Sequence, residues 1–149
     1  MRAGVGNFAD PVFRVKDRFL TGITAELGIA QPSVREGLVT DDMEQLQKAL
    51  GSGLVLDFKT ISWGMGAPSN LFGANRYGVG HMGIARLIRL EERKRLWAGH
   101  CIAGTRDDKR ATLDEIERSA GALLSEWLAE VANECAEKLL SQFFGKGKP

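Results

Sequence analysis

The sequence predicts an α/β domain of the α+β kind: a mixed or antiparallel sheet of about four or five strands, carrying a β-hairpin and flanked by two or three helices. Three observations predict it. An apolar run, Leu54-Val55-Leu56, continues as Asp57-Phe58-Lys59-Thr60-Ile61-Ser62-Trp63 and ends at the loop-forming Gly64-Met65-Gly66-Ala67-Pro68-Ser69-Asn70. Two further β-rich runs, Tyr77 to Leu90 and Leu96 to Ala103, are separated only by Glu91-Glu92-Arg93-Lys94, which reads as a hairpin. Thr112-Leu113-Asp114-Glu115 then matches a capping box ahead of a long apolar stripe, the pattern of a long C-terminal helix.

In chain order, Asp10-Pro11 opens the first helix. The aspartate accepts from free backbone N–H groups, and proline is tolerated at the first helical position. Val12, Phe13, Phe19, Leu20, Ile23 and Leu27 recur at near-helical spacing, and Gly28 is the terminator. Pro32 to Val39 is a candidate short strand, and Thr40-Asp41-Asp42 starts a short helix with Met43, Leu46 and Leu50 on one side, ended by Gly51-Ser52-Gly53. The nearly unbroken apolar start of the Leu54 strand predicts a central strand covered on both faces. A helix over Gly83 to Trp97 competes with the hairpin. The glycines at 78, 80 and 83 and the period of two through Leu96, Ala98, His100 and Ile102 favour the hairpin. From Ile116 through Leu124, Trp127, Val131, Cys135 and Leu139 to Phe143 the apolar stripe predicts one helix of about 30 residues, which spans the sheet or overhangs it to meet a partner. The chain reads as a single domain, 1–149, with disordered ends at 1–9 and 145–149.

The formal net charge is +1, too small to point to nucleic acid or a membrane surface. Its distribution is uneven. Arg76 to Arg110 holds nine basic and four acidic residues, and Thr112 to Leu140 holds two basic and seven acidic. Adjacency of the two stretches, or simple solvation, accounts for this; an acidic or phosphate-rich partner is the functional alternative, with nucleic acid bound through Arg86, Arg89, Arg93, Lys94, Arg95, Arg106, Lys109 and Arg110 as its specific form. No run is long and apolar enough for a transmembrane segment, and Met1 to Asn7 lacks the apolar core of a signal peptide.

Asp57 interrupts an apolar run, so it must face outward, lie near the sheet's end or pair with a base; pairing with a hairpin arginine is the expectation, a catalytic acid the alternative. Gly78-Val79-Gly80-His81-Met82-Gly83 spells G-x-G-x-x-G, but it lacks the preceding strand and following helix of a dinucleotide site. Its glycines are expected to permit a bend or bulge. His81 and His100 have no local Cys/His cluster of zinc spacing, and no nucleophile elbow or catalytic base arrangement is visible. No cofactor, metal or catalytic residue is therefore predicted. The loop from Trp63 to Arg76 exposes apolar side chains. Trp63, Met65, Leu71 and Phe72, with Tyr77 at its far end, form a candidate interaction surface or a flap over the core. Cys101, near the end of the last strand, and Cys135, on the apolar side of the final helix, are a candidate disulfide. Closing it would stabilise the fold by about 3 to 4 kcal/mol; two free thiols are the alternative.

The order Gly53-Leu-Val-Leu-Asp-Phe-Lys-Thr-Ile-Ser-Trp63, Arg76-Tyr-Gly-Val, Ala85-Arg-Leu-Ile-Arg-Leu90, a charged turn and Arg95-Leu-Trp-Ala-Gly-His-Cys101 resembles bacterial cell-envelope lipoprotein domains. The nearest are the α/β domain of the curli secretion lipoprotein and the N-terminal part of TolB; auxiliary lipoproteins of envelope ABC transporters carry a similar run. The resemblance implies a non-enzymatic interaction or scaffold domain on the periplasmic face of the envelope, working through a protein partner or as a homo-oligomer. It also implies an outer-membrane lipid anchor on an N-terminal cysteine, which this sequence does not carry. The charged turn lacks the Asp-x-x-x-Gly of those relatives, and pore-forming hairpins have no room. Outside that resemblance, the alternative is a cytoplasmic small-ligand-binding or enzymatic domain, marked by convergent polar groups in a deep pocket.

Overall fold

The computed structural model describes residues 9–30, 32–33, 42–67 and 75–145. Helix α1, Val12–Leu27, starts where Asp10 Oδ1 accepts from the Val12 N–H at 2.9 Å. It stops where Gly28 turns left-handed, at φ 64°, and donates to the Thr24 carbonyl. Its buried face is Val15, Phe19, Leu20 and Ile23. Helix α2, Met43–Leu50, is capped by Asp42, whose side chain accepts from the Glu44 N–H.

Strands β1, Leu54–Gly66, β2, Gly78–Arg89, and β3, Lys94–Gly104, form an antiparallel sheet in the order β1-β2-β3. A three-stranded sheet, among the described residues, replaces the expected four or five strands. The candidate strand at Pro32 to Val39 lies outside the described residues except for Pro32 and Ser33, which are in no strand. The hairpin between β2 and β3 turns at Leu90 to Arg93, with Arg93 at φ 50°, and the competing helix over Gly83 to Trp97 is absent.

β1 is an edge strand and not the central one; β2 is central. The apolar run looked two-sided because different elements cover its two faces. Leu56 and Phe58 face the main core, while Val55 packs on a second cluster of Leu46, Ile88 and Leu90 brought by α2. Leu54 itself is 62% exposed. The register shifts between Thr60 and Ser62, leaving Ile61 without a partner. Beyond this bulge Trp63 stands opposite His81 and Met65 opposite Val79, on the face that Thr60 shares with Gly83.

The predicted single long helix is two. The capping box forms: Thr112 Oγ1 accepts from the Glu115 N–H, and Glu115 Oε1 accepts from the Thr112 N–H at 2.9 Å. It opens only the six-residue α3, Leu113–Arg118. Ala120 at φ 53° and Gly121 at φ 92° break the helix, and α4 runs Ala122–Phe144, with Ser119 Oγ accepting from the Leu123 N–H. An apolar stripe reports which face is buried, not whether the backbone between two of its residues stays helical. Of the ends expected to be disordered, all but Ala9 and Gly145 lie outside the described residues. Gly145 is the left-handed cap of α4, its N–H donating to Gln142 and Ser141 carbonyls.

α1 and α4 pack on one face of the sheet. Phe19 sits at the centre, with ring centroids 5.4 Å from Phe58, 6.0 Å from Trp97 and 5.7 Å from Phe143. Trp127, Ile116, Val131 and Leu139 complete this core at 1% exposure or less. Burial of such side chains, at roughly 25 cal/mol per Å² of apolar surface, is the main stabilising term.

Candidate functional site

The residues with the most chemical character converge under the Gly78 end of the sheet. On β3, alternation buries Gly99, Cys101 and Ala103 and exposes His100 and Ile102. On α4, Cys135 lies on the inward face with Val131, Ala132 and Ala136. Cys101 and Cys135 are joined in a disulfide with Cα atoms 5.2 Å apart, stapling the edge strand to the long helix. Both sulfur-bearing residues are buried, at 1% and 0% exposure.

His81 of β2 lies beside this bridge, 3% exposed, with Nδ1 at 4.0 Å from Cys101 Sγ. The ring occupies space that only glycine leaves. A Cβ on Gly83 would stand 2.9 Å from His81 Cε1 and 3.2 Å from the Lys59 carbonyl oxygen. On its other side His81 Nε2 is 3.2 Å from Thr60 Oγ1, and Thr60 donates to Asp10 Oδ1 at 2.7 Å. Asp10, a carboxylate, only accepts, so the one hydroxyl proton of Thr60 is committed to it. Thr60 therefore accepts from His81, which assigns the hydrogen to Nε2 and the lone pair to Nδ1, facing the sulfurs. Burial pushes His81 below its ordinary pKa by disfavouring the imidazolium, against the opposing pull of the Asp10 charge. The neutral ring fits this assignment.

Above the cluster, Trp63, Met65, Val79, His81, Met82 and Ile102 are among the residues lining an open groove of about 490 Å³ at the end of the sheet. Trp63, Met65 and Met82 are 37 to 39% exposed and Ile102 is 59% exposed. The groove's lining is largely apolar and includes His81, without a set of convergent polar groups.

The residues expected at an interaction loop have separate fates. Trp63 and Met65 belong to β1 and not to a loop; Leu71 and Phe72 lie outside the described residues. Tyr77 is half-buried against the main core and forms a backbone bridge with Ala111. Asp57 accepts from the Arg86 guanidinium across the β1–β2 pair, both side chains largely shielded from water. The G-x-G-x-x-G glycines lie within β2, where Gly78 and Gly83 make room for Thr105 and His81. Five of the nine basic residues of this stretch are paired within the chain: Arg86 with Asp57, Arg89 with Glu92, Arg106 with Asp108, Lys109 with Glu130 and Arg110 with Asp107. Lys109 reaches the acidic helix directly.

The His81–Cys101–Cys135 grouping escapes a search for local ligand spacing because its members come from two strands and a helix. The one sequence signal that bears on it is shared burial parity: His81 and Gly83 on one strand, Cys101 and Ala103 on the next. No family model, curated protein or solved structure matches this chain.

Proposed function

We propose that the chain is a non-enzymatic interaction domain of a bacterial envelope lipoprotein, acting on the periplasmic face through contact with a protein partner. The observation that carries this reading is the concentration of exposed large apolar side chains, Trp63, Met65, Met82 and Ile102, around one open groove. Met82 and Ile102 stand opposite each other on one face at this end of the sheet, with Trp63 and Met65 on the other, and clustered exposed apolar side chains are characteristic of protein contact surfaces. The groove's openness and sparse polar lining support a contact surface over a small-ligand or catalytic pocket. The disulfide supports an oxidising compartment. No helix among the described residues is long and apolar enough to cross a membrane, and attachment would fall to a lipid anchor outside this sequence. The internal pairing of the basic residues counts against nucleic acid as the partner.

The test is site-specific photo-crosslinking in living bacteria, with the reactive residue placed at Met65, at Ile102, and at Leu113 on α3 as an exposed control. The expected result is a discrete adduct from positions 65 and 102 that is absent from 113. A product of twice the chain's mass identifies a second copy as the partner. No adduct, or the same adducts from all three positions, overturns the reading.

A further inference from the structure

We propose that the thiol form of the buried cluster binds a soft d10 metal ion, monovalent copper or zinc. The ligands are the thiolate sulfurs of Cys101 and Cys135 and Nδ1 of His81. One ligand atom from each residue lies within 4.8 Å of the others, and all three residues are buried. Two sulfurs and an imidazole nitrogen form a donor set that selects these ions over the hard cations.

The second observation is the orientation of His81. Its Nε2–H is held by Thr60, which is held in turn by Asp10, so Nδ1 presents a lone pair to Cys101 Sγ at 4.0 Å. A disulfide sulfur carries no proton and has none to give this lone pair. A thiol or a metal ion does use it. Metal-bound histidines characteristically fix the ring by donating the opposite N–H to an oxygen acceptor, which is the role Thr60 and Asp10 fill here. Gly83 supplies the space in which the ring takes this position.

Opening the site requires two electrons and two protons. A dithiol reductant gives its electron pair to the Cys101–Cys135 bond, which breaks into two thiols while the reductant closes its own disulfide. Metal binding then releases both thiol protons to water as two sulfur–metal bonds form. The sulfurs must move apart, and with Cα atoms at 5.2 Å rotation of the two side chains accomplishes this. Covalent bond and metal ion thus exclude each other at one place in the core. Among the described residues no fourth His, Cys, Asp or Glu joins the group. Monovalent copper accepts three donors as they stand, whereas zinc takes a water as its fourth ligand.

The experiment uses the full chain, reduced with dithiothreitol, desalted under argon, and titrated separately with zinc ions against a chromophoric chelator and with monovalent copper against bicinchoninate. One ion per chain is expected for at least one metal, with thiolate-to-metal absorption in the ultraviolet and protection of both thiols from alkylation. X-ray absorption then separates three-coordinate copper from zinc carrying an added oxygen. The oxidised chain and the double variant Cys101→Ser, Cys135→Ser bind neither. Thr60→Val keeps every ligand but removes the acceptor of the Nε2–H, and is expected to weaken binding by about 10- to 100-fold. Binding no tighter than that of the double serine variant overturns the proposal. So does equal affinity in the natural chain and Thr60→Val, which an unfolded reduced chain would also give.

Discussion

At the Leu87 end of the sheet both faces are covered, by α1 and α4 on one side and by α2 on the other, and Ile88 and Leu90 are fully buried. At the Gly78 end β1 runs on past its bulge with Trp63 and Met65 more than a third exposed, and Met82 and Ile102 face solvent on neighbouring strands. The same residue types occur in both regions. Trp127 is 1% exposed and Trp63 is 37% exposed. Burial here is set by which elements pack over a position, and among the described residues no helix covers Met82 and Ile102 at this end.

The sharpest way to break this comparison is to truncate one residue on each side of it. Phe19→Ala, which empties the centre of the aromatic cluster, should lower unfolding free energy by about 3 to 5 kcal/mol in urea titration. A loss under 1 kcal/mol would mean that α1 does not pack as described. Removing the staple with Cys101→Ser and Cys135→Ser should cost about 3 to 4 kcal/mol by the same measurement, given the 34-residue separation. Gly83→Ala should cost about 1 to 3 kcal/mol, because the new methyl meets the His81 ring and the Lys59 backbone oxygen together. At the uncovered end, Ile102→Ser should change stability by no more than about 0.5 kcal/mol. A larger loss would show that the groove is covered within the chain and would remove it as a contact surface.

The smallest expected effect concerns Glu115, on the exposed capping box. Hydrogen bonds from the Thr112 backbone and then its hydroxyl lower the Glu115 pKa below the ordinary glutamate value. A carboxylate whose folded pKa is depressed contributes stability above its unfolded pKa and loses it as pH falls through the folded value. Thermal melts of the natural chain and Glu115→Gln should therefore differ at neutral pH and converge in acid. Parallel curves across that range would mean that the cap is not formed in solution.

Much of the local structure was legible. Asp10-Pro11 and Gly28 bound α1, the charged tetrapeptide turns the hairpin, and Thr112 with Glu115 caps α3, because each signal acts within a few residues of the backbone group it satisfies. The Cys101–Cys135 bridge was also legible, from the place of Cys101 near the end of the last strand and of Cys135 on the apolar side of a helix packed across the sheet. The break at Ala120 was not. Ile116, Leu124 and Trp127 keep the same buried side across it, so the hydrophobic pattern carries no mark of the left-handed turn.

What the sequence determined by itself was the place of α1, α2, the first strand and the hairpin, with the caps of α1 and α3, all of which follow from short-range geometry and period. Tertiary structure alone made β1 an edge, carried Trp63 and Met65 beyond the covering helices, and brought His81 to the two cysteines with Thr60 and Asp10 behind it. Those five side chains come from well-separated parts of the chain, at 10, 60, 81, 101 and 135. Their meeting depends on strand register, one bulge and the placement of α4, and no local pattern encodes a distance between segments that touch only after the chain has folded.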